Sequence, residues 1–121
     1  AFVHTIGGNI SRRSAEPWVD RYIFPNGMLP SISQLGKAME GLFVMEDWHN
    51  IGPDYDTTLQ AWYKNFVEAW PSLKANYSER FYRMWTYWLQ TSMSGFRART
   101  TQLWQIVMTR TGTPQPDCRM L

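Results

Sequence analysis

Cysteine is nearly absent, with Cys118 the one thiol in 121 residues. A single thiol excludes a disulfide framework and a cysteine-based metal site, and this usage fits a reducing, cytoplasmic setting. Lysine is scarce, with three lysines against nine arginines, and these bases are scattered along the chain. A net charge of +2 without a basic cluster gives no footprint for nucleic acid. No apolar run approaches the roughly 20 residues that span a membrane. The first residues lack the basic region and long apolar stretch of a signal peptide. A G-x-G-x-x-G loop is missing, and Gly7-Gly8 reads only as a turn. Two histidines and scattered serines make no Ser-His-Asp arrangement. Repeats and low-complexity segments are also lacking.

What is present is apolar and aromatic. Hydrophobic residues are 44% of the chain and charged residues 18%, a balance that supports a packed core rather than disorder. Aromatics reach 16%, including seven tryptophans. Such rings bury large areas and also sit where protein meets lipid headgroups, and composition leaves both uses open.

The chain opens on Ala1-Phe2-Val3-His4-Thr5-Ile6, a strand followed by the turn signal Gly7-Gly8-Asn9. A strand starting at residue 1 has no neighbour of its own, so it reads as an internal strand of a sheet whose earlier members are absent. Residues 9–17 are polar and read as a loop. Trp18 to Phe24 forms a short amphipathic turn or helix stopped by Pro25-Asn26-Gly27. Ser31 caps a helix whose apolar face is Ile32, Leu35, Ala38 and Met39, with Gly41 as its stop. Leu42 to Trp48 is a second strand. After Ile51-Gly52-Pro53-Asp54-Tyr55 a long helix places Leu59, Trp62, Tyr63, Phe66 and Trp70 on one face, and Pro71 ends or bends it. Ser78 caps another helix striped with Phe81, Met84, Trp85, Trp88 and Leu89, with Gly95 near its end. Leu103 to Met108 closes as a strand, and residues 111–121 read as a flexible tail. Strands separated by helices indicate an α/β sheet.

Three positions invite a chemical reading. His4 at the carboxyl end of its strand has a favourable address, because ligands in open α/β sheets bind there. The plainer alternative is a histidine capping loose backbone. Glu46, Asp47 and His49 suggest a metal, but neighbouring strand residues point to opposite faces, so helix capping or packing is the better account and no metal is expected. Tyr55, in the loop before the long helix, reads first as a buried tyrosine with a satisfied hydroxyl. The tryptophan stripes read as core, with two helices covering one sheet face.

Several segments then occur in a specific order: His4-Thr5-Ile6-Gly7, Tyr22-Ile23-Phe24-Pro25-Asn26-Gly27-Met28-Leu29-Pro30-Ser31 and Phe43-Val44-Met45-Glu46-Asp47-Trp48-His49-Asn50. Gly52-Pro53-Asp54-Tyr55-Asp56-Thr57-Thr58-Leu59, Glu79-Arg80-Phe81, Phe96-Arg97-Ala98-Arg99 and Gln102-Leu103-Trp104-Gln105 follow. Together, over residues 1 to about 110, they resemble the C-terminal part of cyclopropane fatty acid synthases, enzymes related to mycolic acid cyclopropane synthases. The resemblance implies the last three strands of a seven-stranded, Rossmann-like S-adenosylmethionine-dependent methyltransferase fold, with the final strand antiparallel to its neighbours. It implies transfer of a methyl group to the cis double bond of a phospholipid acyl chain, then proton loss and ring closure. Bicarbonate takes that proton in the family, and the positions that help to hold it match His4 and Tyr55. N–H and O–H donors suit an anion that must stay basic. Phe24 matches a position lining the acyl pocket, where an aromatic face faces developing positive charge.

The family's S-adenosylmethionine-binding glycine motif, its acidic ribose ligand, and the cysteine and glutamate of the bicarbonate site match nothing in these residues. The resemblance therefore implies no cofactor-binding residue in this chain, a partial bicarbonate site, and a piece that is inactive alone. Thr100-Thr101 stands where an Asp-Ile pair is expected. The implied partners are membrane phospholipid acyl chains at the inner, cytoplasmic membrane face, and no nucleic acid. Two rival expectations are a free-standing aromatic-rich module that binds lipid or protein, and a homodimer formed through an exposed sheet edge.

Overall fold

A computed structural model describes residues 1–119. The elements run β1 (Phe2–Gly8), α1 (Pro17–Tyr22), α2 (Ile32–Met39), β2 (Val44–Asn50), α3 (Gly52–Leu73), α4 (Glu79–Arg97) and β3 (Thr101–Thr109). They fall into two compact units, one of residues 1–51 with the segment from Thr101 onward, the other of Gly52–Thr100.

The first unit is built on a three-stranded sheet of order β1-β3-β2. β3 runs antiparallel to both neighbours, as the resemblance implies. The last strand in sequence is thus the centre of the described sheet, and it is the most buried. Trp104, Ile106 and Met108 point to one face and form the core with Val3, Leu35, Met39 and Trp48. Trp48 meets Trp104 edge-on at 5.1 Å, a favoured aromatic geometry. α2 supplies Leu35 and Met39 to this face. Its start is defined by a capping box in which Ser31 accepts from Gln34 N while Gln34 Oε1 accepts from Ser31 N. Gly41, at φ +74°, follows the helix in the left-handed conformation that suits glycine.

Gly7 and Gly8 do not turn the chain. They lie inside β1 and pair with Gln102 and Thr101. The reason is space: a Cβ on Gly7 would stand 2.2 Å from the Trp104 ring, so the glycine makes room for the indole. β1 therefore extends beyond Ile6, and His4 sits in mid-strand rather than at its carboxyl end. β2 also starts and ends two residues later than its hydrophobic run suggests. A register shift between Met45 and Asp47 takes Glu46 out of the ladder, so simple alternation fails there. Glu46 accepts from Thr109 Oγ1 at 2.6 Å, and Asp47 accepts from Arg119 Nε at 2.5 Å.

The second unit is a hairpin of two antiparallel helices. α3 begins at Gly52, which places Tyr55 in the helix's first turn and not in a loop. Proline early in a helix is compatible with it, because the first N–H groups have no intrahelical partner. Pro71 lies within α3, and the helix continues to Leu73. Ser78 caps α4, its hydroxyl accepting from Phe81 N at 3.1 Å. The aromatic stripes pack helix against helix: Phe66 meets Phe81, Tyr82 and Trp85, and Trp70 meets Tyr82 at 4.8 Å. Leu59, Leu89 and Phe96 are buried.

Candidate active site

His4 is exposed on β1 and faces Gln105 across the ladder, with Gln105 Nε2 and His4 Nδ1 3.4 Å apart. On the other side of β3 the partner of Gln105 is His49. His4, Gln105 and His49 therefore form one polar row on the sheet face opposite the Trp104 core. The same face carries a depression lined by Phe2, Asp47, His49, Gln105, Val107, Cys118 and Arg119. Alternation in β3 could have flagged Gln105, because it is a polar residue between Trp104 and Ile106 in an otherwise apolar run.

At the carboxyl ends of β1 and β2 a second polar group ties the strands together. Gln102 is 8% exposed. Its Oε1 accepts from Asn50 Nδ2 at 3.0 Å, and its Nε2 donates to Asn9 Oδ1 at 3.1 Å. One side chain of the central strand thus bridges the ends of both outer strands, where loops leave the sheet. No pattern within any one segment signals this arrangement, since its members lie far apart in sequence.

Phe24, in the same unit, follows α1 in a turn closed by Phe24 N donating to Val19 O and Gly27 N donating to Phe24 O. Asn26 adopts φ 61°, and its N–H donates to Asp20 Oδ1 at 2.8 Å. This turn leaves the Phe24 ring 54% exposed.

Tyr55 belongs to the helical unit. Its ring meets Phe96 edge-on at 5.1 Å and Trp62 at 5.7 Å. Burial pushes its phenol above the ordinary value, because desolvation penalises the phenolate. The hydroxyl, a donor at neutral pH in any case, stays one further into alkaline pH. Beside it, Asp56 takes a two-pronged ion pair from Arg97, with Nε to Oδ2 at 2.9 Å and Nη2 to Oδ1 at 3.1 Å. The hydrogen bond from Arg97, then that from Gln60, holds the Asp56 carboxyl below the usual carboxylate range.

These strands and helices define a class. The chain superposes on the mycolic acid cyclopropane synthase CmaA1, solved with SAH and CTAB, with a TM-score of 0.76 at 22% identity, over 88% of this chain and 42% of that one. The fold is accordingly a portion of the Rossmann-like α/β fold of S-adenosylmethionine-dependent methyltransferases. The family model for mycolic acid cyclopropane synthetase matches residues 2–106, and the chain belongs to that family. It is 56% identical over 108 residues to cyclopropane-fatty-acyl-phospholipid synthase of Escherichia coli K12, covering 89% of this chain. It spans 28% of the length of that relative. A protein of the same name from Citrobacter freundii is 51% identical over 79 residues, covering 65% of this chain and 89% of its own length.

Proposed function

We propose that these residues serve an S-adenosylmethionine-dependent cyclopropane fatty acid synthase that acts on cis double bonds of phospholipid acyl chains. The observation that carries this reading is the 56% identity to the E. coli synthase across 89% of the chain. Within it, His4 and Tyr55 hold a bicarbonate, and Phe24 lines the acyl pocket. Their chemistry suits an anion and a greasy substrate. An imidazole N–H and a phenol O–H are donors that anchor a base. The exposed Phe24 ring offers a π-face to developing positive charge. Bicarbonate, when bound, supplies the base for the proton lost at ring closure. Gln105, beside His4, restrains how the imidazole turns.

The 121 residues contain no glycine-rich cradle, so no side chain here is assigned to S-adenosylmethionine. Residues 1–121 alone are expected to show no heat of S-adenosylmethionine binding in calorimetry, and tight binding would contradict this assignment. The partners proposed are unsaturated acyl chains at the cytoplasmic membrane face, met peripherally, and a second copy of the protein. No described helix is long and apolar enough to cross a membrane. Trp62, Tyr77 and Tyr87, each 44–54% exposed, are rings of the type favoured at headgroups.

The test uses the full protein with vesicles of monounsaturated phospholipid, reading by mass spectrometry the methylene gained per acyl chain. His4→Gln and Tyr55→Phe should each lower the rate at limiting bicarbonate by about 10- to 100-fold, the cost of one hydrogen bond to an anion. Unchanged rates in both variants would remove these residues from the site.

A further inference from the structure

The Phe96-Arg97-Ala98-Arg99 segment closes α4 against the first turn of α3. Phe96 and Arg97 are consecutive at the end of α4, and Tyr55 and Asp56 are consecutive at the start of α3. Phe96 is 2% exposed and packs edge-on against the Tyr55 ring. Arg97 grips Asp56 with both prongs of its guanidinium. Gln60, one turn on, donates to the same Asp56 Oδ1 at 3.1 Å. The Asp56 side chain is only 15% exposed, although that of Arg97 is 66% exposed.

Four features separate this pair from an ordinary surface ion pair. It joins residues 41 apart in sequence. It is bidentate, which sets direction as well as distance. Its acid is largely covered, and each partner adjoins one ring of the Tyr55–Phe96 contact. The first turn of a helix is where backbone most readily frays. A tyrosine side chain has few torsions of its own, so once its ring is walled by Phe96 and Trp62 its hydroxyl follows the backbone of that turn. We infer that Asp56 and Arg97 are a positioning pair that fixes the first turn of α3 and thereby places the Tyr55 hydroxyl. The consequence for anion binding rests on the proposed role of Tyr55, whereas the placement of the hydroxyl does not.

The experiment replaces Arg97 by lysine in the full protein, keeping the charge and abolishing the fork. Tyrosines carry a 13C label at Cζ, and Tyr55→Phe identifies the Tyr55 signal among the six tyrosines. Two readouts are compared: the titration of Tyr55 Cζ, and the bicarbonate concentration giving half-maximal methylene transfer. In Arg97→Lys the Tyr55 titration should move toward that of a free phenol. The half-saturating bicarbonate should rise about tenfold while the rate at saturating bicarbonate stays within about twofold, the pattern of lost binding rather than lost chemistry. Asp56→Asn, which keeps the shape of the acid and drops its charge, should change both in the same direction and guards against a folding defect peculiar to lysine. A Tyr55 signal unaltered in both folded variants overturns the inference. A Tyr55 signal that shifts while bicarbonate dependence stays fixed supports the positioning pair and refutes the anion-holding role of Tyr55.

Discussion

Two single residues show how closely side chains dictate their neighbours here. Gly7 has no side chain because the Trp104 ring occupies the space that a Cβ would fill. Gly7→Ala should therefore cost about 1–3 kcal/mol, the usual penalty for overpacking a filled core, seen as a lowered urea midpoint. Thr101 is the opposite case. Among the described residues its Oγ1 is a buried side-chain oxygen without a hydrogen-bond partner, at one of the two positions where the family resemblance implies an Asp-Ile pair. Burying an unmade hydroxyl costs on the order of 1–3 kcal/mol, so the near-isosteric Thr101→Val should raise the melting temperature. In the sequence the Thr100-Thr101 departure implies no more than a weakened local cap or ion pair away from the chemistry. Gly7-Gly8 carries the signature of a turn, because glycine for conformation and glycine for space look alike until the indole is in place.

Helix starts that carry a serine cap are the most legible elements, whereas the start of α3 at Gly52 carries no such cap and is not. Ser31 and Ser78 were both identifiable as caps, because a capping hydroxyl acts within three residues of itself and its signal is local. Ser31→Ala should destabilise the sheet unit by about 1 kcal/mol, measurable by denaturant titration. Element ends set by partners were harder to read. β1 continues through two glycines because β3 pairs with them, and β2 carries a bulge that no alternation shows. The Asp56–Arg97 pair belongs to this scale too, and it has a pH signature. The folded-state pKa of Asp56 lies below its unfolded value, so its stabilising contribution is present above the ordinary carboxylate range and is lost as pH falls through the folded value. Asp56→Asn should accordingly unfold earlier than the parent chain at neutral pH and match it in strong acid. Thermal melts followed by circular dichroism at several pH values would check this, and a difference that persists in strong acid would contradict it.

At the scale of the molecule the decisive fact is that the last strand is the middle one. β1 and β2 are hydrogen-bonded to β3 and not to each other, and Trp104, Ile106 and Met108 form the buried centre of the first unit. Truncation after Thr100 should leave residues 1–51 without a sheet, with rapid proteolysis of that segment as the expected readout. The α/β class, the order of the elements, the capped helices and the ordered motifs of the family were all legible in the sequence, because periodicity, caps and motifs are properties of contiguous residues. His4, Phe24 and Tyr55 stand out in the sequence through family motifs rather than through spacing. What the tertiary structure alone decided is which distant residues meet. His4, Gln105 and His49 share a row across three strands, Gln102 ties Asn9 to Asn50, and Arg97 reaches Asp56. Each contact joins segments more than 40 residues apart, and such partnerships depend on strand register and helix pairing, which are set only when the whole core packs.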